Sequence, residues 1–230
     1  MSAPPTGIRS GGRGYFVTFE GIEGTGKTTQ LDRLARRLRG TGADVVVTRE
    51  PGGTALGREL RTLLLRPSAE PMSPFAELLL YVTDRAQHLT EVVEPALERG
   101  AIVLCDRYKE ATLAYQGYGR GLGVERVHDL HRHPPLDRVP DRTVVLELDP
   151  VESVARASRR NEETNVAATE GRFEQEKLEF HRRVLAGYRA LAADDPERIR
   201  IVDASGEPEE VERRVLDAVR DLFPALRDEP

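Results

Sequence analysis

One glycine-rich octapeptide near the N-terminus combines a flexible backbone with an ammonium group and a hydroxyl group in a fixed order: Gly21-Ile22-Glu23-Gly24-Thr25-Gly26-Lys27-Thr28. It fits the pattern G-x-x-x-x-G-K-[ST], whose glycines let backbone N–H groups turn inward around an anion that side chains would otherwise exclude. The lysine can reach the β- and γ-phosphates of a nucleotide, and the next hydroxyl can hold Mg²⁺. The pattern therefore predicts an ATP site formed by Gly21, Ile22, Glu23, Gly24, Thr25, Gly26, Lys27, Thr28 and Thr29.

The segments on either side of the octapeptide favour this interpretation. Residues 15–19 form a short β-prone run. The residues that follow, up to 38, carry apolar side chains at helical spacing: Leu31, Leu34, Ala35 and Leu38. A strand, a glycine loop and a helix in this order place a bound phosphate at the helix N-terminus. The alternative, a glycine-rich turn without a ligand, is disfavoured by that context.

A second candidate is Asp106, which directly follows the apolar run at residues 102–105. A carboxylate at the end of a buried strand can orient Mg²⁺ beside a phosphate loop, directly or through water. The alternative is an acid that only pairs with its neighbour Arg107. With the octapeptide upstream, we predict a magnesium site formed by Thr28 and Asp106.

Two charge patterns leave alternatives open. Glu23 puts a negative charge inside the loop, which is unfavourable beside a phosphate unless the carboxylate faces a metal or a substrate hydroxyl. Residues 161–170 are polar and aperiodic, and we expect them to be mobile. The arginines around them form either a solvated helix face or part of a lid that closes over a transferring phosphoryl group: Arg156, Arg159, Arg160 and Arg172.

Alternating strand and helix patterns indicate an α/β fold. Such alternation predicts a parallel sheet with helices on both faces and ligands at the carboxyl ends of the strands. The further strands are expected at residues 44–48, 102–105, 143–146 and 200–202. The later helices are expected at residues 60–65, at 73–93 with a kink near Pro95, from about 172, and near 211–222. We predict one domain, residues 14–224, between tails at 1–13 and 225–230.

The composition of the 230 residues argues against several classes of protein. Charged residues make up 32% of the chain and the net charge is −5, so we expect neither a nucleic-acid nor a membrane surface. No apolar run approaches the ~20 residues of a membrane span, and we expect no secretory signal. Cys105 is the single cysteine, so it cannot form an internal disulfide and suits a reducing cytosol. The histidines are expected to be exposed rather than to bind a metal: His128, His131 and His133.

Four segments taken together resemble the bacterial type of thymidylate kinase. They are residues 19–29 (FEGIEGTGKTT), 48–54 (TREPGGT), 106–108 (DRY) and 114–117 (AYQG), and their order and spacing agree across about residues 15–222. The first segment alone indicates only a nucleoside triphosphate, and the other three narrow the resemblance. It implies the P-loop nucleoside monophosphate kinase fold: a five-stranded parallel sheet with helices on both faces and a lid, here at about 156–172. It also implies a cytoplasmic homodimer, formed through long helices, that phosphorylates dTMP to dTDP with ATP and Mg²⁺ for dTTP synthesis.

The resemblance also implies roles around the reacting phosphates. Arg61 and Arg107 would grip the dTMP phosphate, and Glu23 would lie near the sugar 3′-hydroxyl and magnesium. The loop itself lacks an arginine, so the lid would supply the catalytic one, for which Arg156 and Arg160 match best. The residues expected to take part in phosphoryl transfer are Lys27, Glu23, Arg107, Arg156 and Arg160.

For the nucleoside, the resemblance implies that Tyr81 stacks on thymine and Arg85 donates to its O4. Thr112 and Gln116 would border the base, and Tyr115 would crowd the sugar 2′ position against ribonucleotides. The chain departs from the family pattern at three places: Tyr81 replaces a phenylalanine, Ala111 lacks a hydroxyl near the base, and the lid carries residues 165–169 in addition, with Gly171 where aspartate is common.

Two alternatives remain at the level of sequence. The first is a kinase of another pyrimidine nucleoside monophosphate on the same fold. The second is a non-catalytic P-loop protein that binds a nucleotide to change partners. The chain has no Asn-Lys-x-Asp signature for guanine, and its arginines suit a second phosphorylated substrate, which disfavours the second alternative.

We predict that Lys27→Ala abolishes phosphoryl transfer and leaves a cooperatively folding protein. The reacting oxygen is a phosphate oxygen that is already ionised near neutral pH, so catalysis depends on positioning and charge neutralisation rather than on a base. Turnover measured beside a circular-dichroism melt checks this expectation. A variant with near-normal turnover would contradict the assignment of the loop.

Overall fold

A computed structural model describes residues 12–67, 72–164, 172–173 and 176–226, without the side chains of residues 160–164. The predictions for residues 1–11, for residues 165–171 of the lid and for residues 227–230 lie outside the described part. The strands within it are β1 (Phe16–Glu20), β2 (Val45–Arg49), β3 (Ile102–Asp106), β4 (Arg142–Glu147) and β5 (Ile199–Asp203). These five parallel strands form one sheet in the order β2-β3-β1-β4-β5, which confirms the predicted sheet.

The central strand β1 is buried along its whole length. Val17 and Phe19 pack on one face of the sheet, and Phe16 packs on the other. Its register with β3 places Phe19 opposite Asp106. Because parallel strands end at the same edge, the segments that follow β1 and β3 emerge side by side.

Helices cover both faces of the sheet, as the alternating pattern predicts. The helices are α1 (Lys27–Gly40), α2 (Ala55–Leu65), α3 (Pro74–His88), α4 (Glu94–Glu98), α5 (Lys109–Thr112), α6 (Val124–Leu130), α7 (Pro150–Thr164), α8 (Leu178–Asp194) and α9 (Pro208–Val219). One face of the sheet is covered by α1 and α9, and the other by α8 and the segments that follow α3 and α5. Two π-helical stretches, Leu89–Val93 and Leu113–Gly119, follow α3 and α5.

Several helix boundaries differ from the sequence-based expectation. The long helix passes through a π-helical stretch before Pro95, and the proline lies in the first turn of α4. The helix expected from about 172 begins at Leu178. Helix α2 begins at Ala55 because the Thr54 hydroxyl accepts from the Gly57 N–H at 2.9 Å and caps it. In the described part of the chain, no helix has the length and apolar character needed to cross a membrane.

The expectation for the histidines is wrong for one of the three. His128 and His133 are exposed, but His131 is buried, with 5% of its surface accessible. Its ring lies against Arg85, a residue 46 positions earlier in the chain, and hydrogen bonds to it. A local polar pattern contains no information about such a distant partner. Cys105 is buried in β3.

Candidate active site

The octapeptide forms the loop between β1 and α1. Gly24 and Gly26 have positive φ angles of 82° and 86°, which residues with a side chain rarely adopt. Lys27 folds back over the loop, where its Nζ donates to the carbonyls of Gly21 at 3.0 Å and Ile22 at 2.8 Å. Burial, together with the charge of Arg107, lowers the pKa of Lys27 to about 8. An anion bound in this loop would favour the charged ammonium, so the site is matched to a phosphate.

Thr28 and Asp106 meet at the edge of the sheet, as the register of β1 and β3 requires. The Thr28 hydroxyl donates to Asp106 Oδ2 at 3.2 Å, and Asp106 Oδ1 is buried without a hydrogen-bond partner among the described residues. Hydroxyl and carboxylate oxygens are ligands that Mg²⁺ prefers. No group of three or more acidic, histidine or cysteine side chains in the described ranges could hold a metal by itself. The donor set fits an ion that shares its shell with nucleotide phosphates and water.

Glu23 lies in a buried cluster with Arg107 and Tyr115. Arg107 Nη2 donates to Glu23 Oε1 at 2.6 Å, and the Tyr115 hydroxyl donates to the same carboxylate at 2.8 Å. Burial by itself would raise the pKa of Glu23, but the charges of Arg107 and Lys27 outweigh it and lower that pKa. The negative charge in the loop is therefore balanced from within the site.

Arg107 occupies a strained backbone conformation directly after β3. Its φ of 70° is the only positive φ of a non-glycine residue in the described part of the chain. Its N–H donates to Phe19 O at 2.9 Å, and its guanidinium lies over the Tyr115 ring at 4.8 Å. The buried carboxylate of Glu20 accepts from the Tyr108 N–H at 2.8 Å and so holds the next residue. Such strain persists where surrounding contacts determine it, and is typical of functional sites.

Helix α7 packs directly on the loop. The Ser153 hydroxyl donates to Glu23 O at 2.5 Å, and a Cβ added at Gly24 would lie 2.1 Å from Ser153 O. Arg156 donates to Glu152 Oε1 at 2.5 Å, and its side chain also lines the cleft described next. The backbone of Arg160 lies in α7, but its side chain is outside the described part. Arg172 does not line this cleft and donates to Leu64 O and to Glu77 Oε2.

A cleft of about 540 Å³ joins the loop to a second pocket. The residues predicted for the site that line it are Glu23, Gly24, Gly26, Lys27, Thr28, Thr29, Arg61, Tyr81, Arg85, Asp106, Arg107, Thr112, Tyr115, Gln116 and Arg156. Three predicted loop residues are buried beneath it instead: Gly21, Ile22 and Thr25. The Ile22 side chain packs in the core, and the Thr25 hydroxyl donates to Ile22 O, so both support the loop from behind.

The second pocket contains a buried ion pair and two further polar contacts. Arg85 is 1% exposed and donates through Nε to Glu50 Oε2 at 2.7 Å. Arg61 donates to Pro51 O at 3.1 Å. The Gln116 amide donates to Glu77 Oε1 at 2.6 Å. The wall thus carries fixed cations and amide groups within an otherwise apolar and aromatic lining.

Sequence reasoning missed several residues of the cleft. Arg49, Glu50, Pro51, Leu65, Tyr108 and Phe173 also line it but were not predicted as site residues, and Ala111, which the resemblance placed near the base, lines it too. Arg49, Glu50 and Pro51 lie in the segment 48–54, whose resemblance to the family was a signal that could have identified them as site residues. His181 was not singled out either, although it is buried with Nδ1 4.0 Å from Glu23 Oε2.

A five-stranded parallel sheet, a phosphate loop and one cleft with arginines at both ends define the class of P-loop nucleoside monophosphate kinases. The family model "Thymidylate kinase" matches residues 19–215, and the chain belongs to this family. It is 50% identical over 208 residues to the thymidylate kinase of Solidesulfovibrio magneticus, covering 90% of this chain and 100% of that one. The thymidylate kinase of Desulfovibrio desulfuricans is 53% identical over 196 residues, which are 85% of this chain and 90% of the other.

A solved structure agrees with these sequence comparisons. The crystal structure of thymidylate kinase from Ehrlichia chaffeensis superposes with a TM-score of 0.70 at 31% identity, covering 90% of this chain and 98% of that one. The family resemblance is therefore confirmed in both sequence and fold.

We predict that Gly24→Ala lowers kcat/KM for ATP by ~10-fold or more, because its Cβ would meet Ser153 O and displace either the loop or α7. The matched control is Gly42→Ala: Gly42 has a similar φ of 84°, but nothing lies within 4 Å of an added Cβ. The control should lose about 1–2 kcal/mol of stability from backbone strain and keep its turnover. Steady-state kinetics and thermal melts of both variants test this, and equal kinetics in the two would contradict it.

Proposed function

We propose that this protein transfers the γ-phosphoryl group of ATP to dTMP and releases ADP and dTDP for dTTP synthesis. The observation that supports it best is the single cleft that runs from the phosphate loop, at Lys27, to the pocket lined by Arg61, Tyr81 and Arg85. A cleft of this kind has room for a donor phosphate chain at one end and a phosphorylated nucleoside at the other.

In the proposed reaction the chain's own residues orient and neutralise two phosphorylated molecules. Lys27 leaves the loop carbonyls for the β- and γ-phosphates of ATP, and Arg61 and Arg107 hold the acceptor phosphate. Magnesium held beside Thr28 and Asp106 would supply charge neutralisation. No general base is required, because the attacking phosphate oxygen is ionised, and the buried cations act with little solvent screening.

The nucleoside end of the cleft would select the substrate. Tyr81 offers a stacking face, Arg85 a donor to the base O4, and Tyr115 fills the space expected for a 2′-hydroxyl. Thr112 and Gln116 border the base. Burial and the charge of Glu77 raise the pKa of Tyr81, so its phenol stays protonated.

We further propose a cytoplasmic homodimer formed through α2 and α3. Both helices expose large apolar side chains: Leu56, Leu63, Phe75 and Leu79, each 41–48% accessible. Exposed apolar side chains on neighbouring helices are typical of subunit interfaces. The lone Cys105 suits a reducing compartment.

The experiment that tests the function measures ADP release with ATP and Mg²⁺ across nucleoside monophosphates. We expect dTMP to exceed dCMP in kcat/KM by ~10⁴-fold, because the donor on Arg85 would face an amino donor on cytosine. It should exceed dUMP by only ~10–200-fold, because a methyl group adds only an apolar contact. A preference for dCMP or UMP would indicate a different pyrimidine kinase, and tight nucleotide binding without turnover would indicate a binding protein.

We propose that a lid arginine, Arg160 or failing that Arg156, neutralises charge on the transferring phosphoryl group. Replacing that arginine by alanine should lower kcat by ~10³-fold, with little change in the melting temperature or in the KM for dTMP. A lid arginine acts on charge that develops in the transition state and contributes little to folding. If both variants turn over like the wild type, Arg159 and Arg172 are the next arginines to test; Arg159 is exposed on the same helix and does not line the cleft. Wild-type turnover in both single variants and in the double variant would refute the assignment.

A further inference from the structure

A buried histidine directly after α6 contacts the arginine of the nucleoside pocket. His131 Nε2 lies 2.7 Å from Arg85 Nη1, and its Nδ1 lies 2.8 Å from the carbonyl of Val127. A carbonyl can only accept a hydrogen bond, so Nδ1 carries the proton. Nε2 then presents a lone pair, and it accepts from the Arg85 N–H.

The charge state of His131 agrees with this tautomer. Burial, followed by the positive charge of Arg85, lowers the pKa of His131 to about 3. Lys109 and His128 act in the same direction, and the bond to Val127 O opposes them. The ring is therefore neutral at physiological pH and remains an acceptor.

Arg85 is fixed on three sides. Nε donates to Glu50 at 2.7 Å, Nη1 donates to His131, and the guanidinium lies over the Tyr108 ring at 5.0 Å. Among the described residues Nη2 makes no hydrogen bond, although the side chain lines the cleft. A planar guanidinium held at two nitrogens and on one face has one orientation. The direction of the remaining nitrogen, Nη2, is therefore set by the contacts that hold the rest of the guanidinium.

The acid on the other side of Arg85 is itself held in place. Glu50 Oε1 is bonded by His88 Nδ1 at 2.8 Å, and His88 Nε2 lies 2.7 Å from the Thr48 hydroxyl. This chain of contacts begins on β2 and ends after α6 at His131. His131 is its last member, and it holds Arg85 on the side opposite Glu50.

We propose that His131 is a positioning residue for substrate selection: it orients Arg85 so that Nη2 meets the 4-oxo group of a pyrimidine monophosphate and disfavours a 4-amino group. The inference rests on the proposed function of Arg85 as the base-reading residue. It adds a residue from the α6–β4 connection, which lies outside the four segments that resemble the family.

The test separates the two ring nitrogens with two variants. In His131→Asn the side-chain amide can still donate to Val127 O but is too short to accept from Arg85. In His131→Gln the longer side chain brings its amide group to the position of Nε2. We expect His131→Asn to lower the dTMP-to-dCMP ratio of kcat/KM by ~10-fold or more, which is the size of effect expected when a hydrogen bond to a charged group is lost. The change should arise mainly from a higher KM for dTMP. His131→Gln should restore the ratio to within about 3-fold of wild type. His128→Asn, an exposed position on the same helix, is the matched control and should leave it unchanged.

The kinetics of Arg85→Lys and ¹⁵N NMR of the wild-type protein complete the test. Arg85→Lys keeps the charge beside Glu50 and removes the guanidinium. If it lowers the ratio while His131→Asn does not, the inference is overturned and the proposed function stands. If Arg85→Lys also keeps the ratio, the base-reading role itself is wrong. Should His131→Asn not fold, ¹⁵N NMR of the wild-type protein decides: an Nδ1–H tautomer is expected from pH 5 to 9, and an Nε2–H tautomer would overturn the proposal.

Discussion

The parallel pairing of β1 with β3 is the constraint on which the site depends. Both strands are central and buried, and their register ends them at the same level, Phe19 opposite Asp106. The phosphate loop and the Asp106–Arg107 segment can therefore bond to each other directly. The Thr28–Asp106 hydrogen bond and the Arg107–Glu23 ion pair both follow from this one geometric fact.

The second feature is the balance of charge in a site with little solvent. Arg85 pairs with Glu50 and Arg107 pairs with Glu23, and each of these carboxylates accepts from a further donor. Burying charges is costly unless they are paired and hydrogen-bonded, so each guanidinium has a carboxylate partner before a ligand arrives. A binding anion then meets donors that are already oriented, which lowers the cost of reorganisation during reaction.

Helix α7 packs on the phosphate loop and carries Arg156 and Arg160, the arginines proposed for the lid. Ser153 bonds to the loop at Glu23 O, and Arg156 lies one turn further along the same helix. Arg172 does not share in this link, because Glu77 binds it together with Arg120 and Gln116 on the other side of the cleft.

The sequence by itself determined the phosphate loop, the alternation of strands and helices, and the family. These depend on local patterns: a glycine spacing, short apolar runs, an apolar period of 3.6, and short segments in order. Most residues of the cleft were also identified in this way. The pairing of Glu23 with Arg107, the burial of His131 against Arg85 and the binding of Arg172 by Glu77 were decided only by the tertiary structure. Each joins residues 46 to 95 positions apart, and such contacts leave no periodic trace in the sequence because the sheet register and helix packing create them.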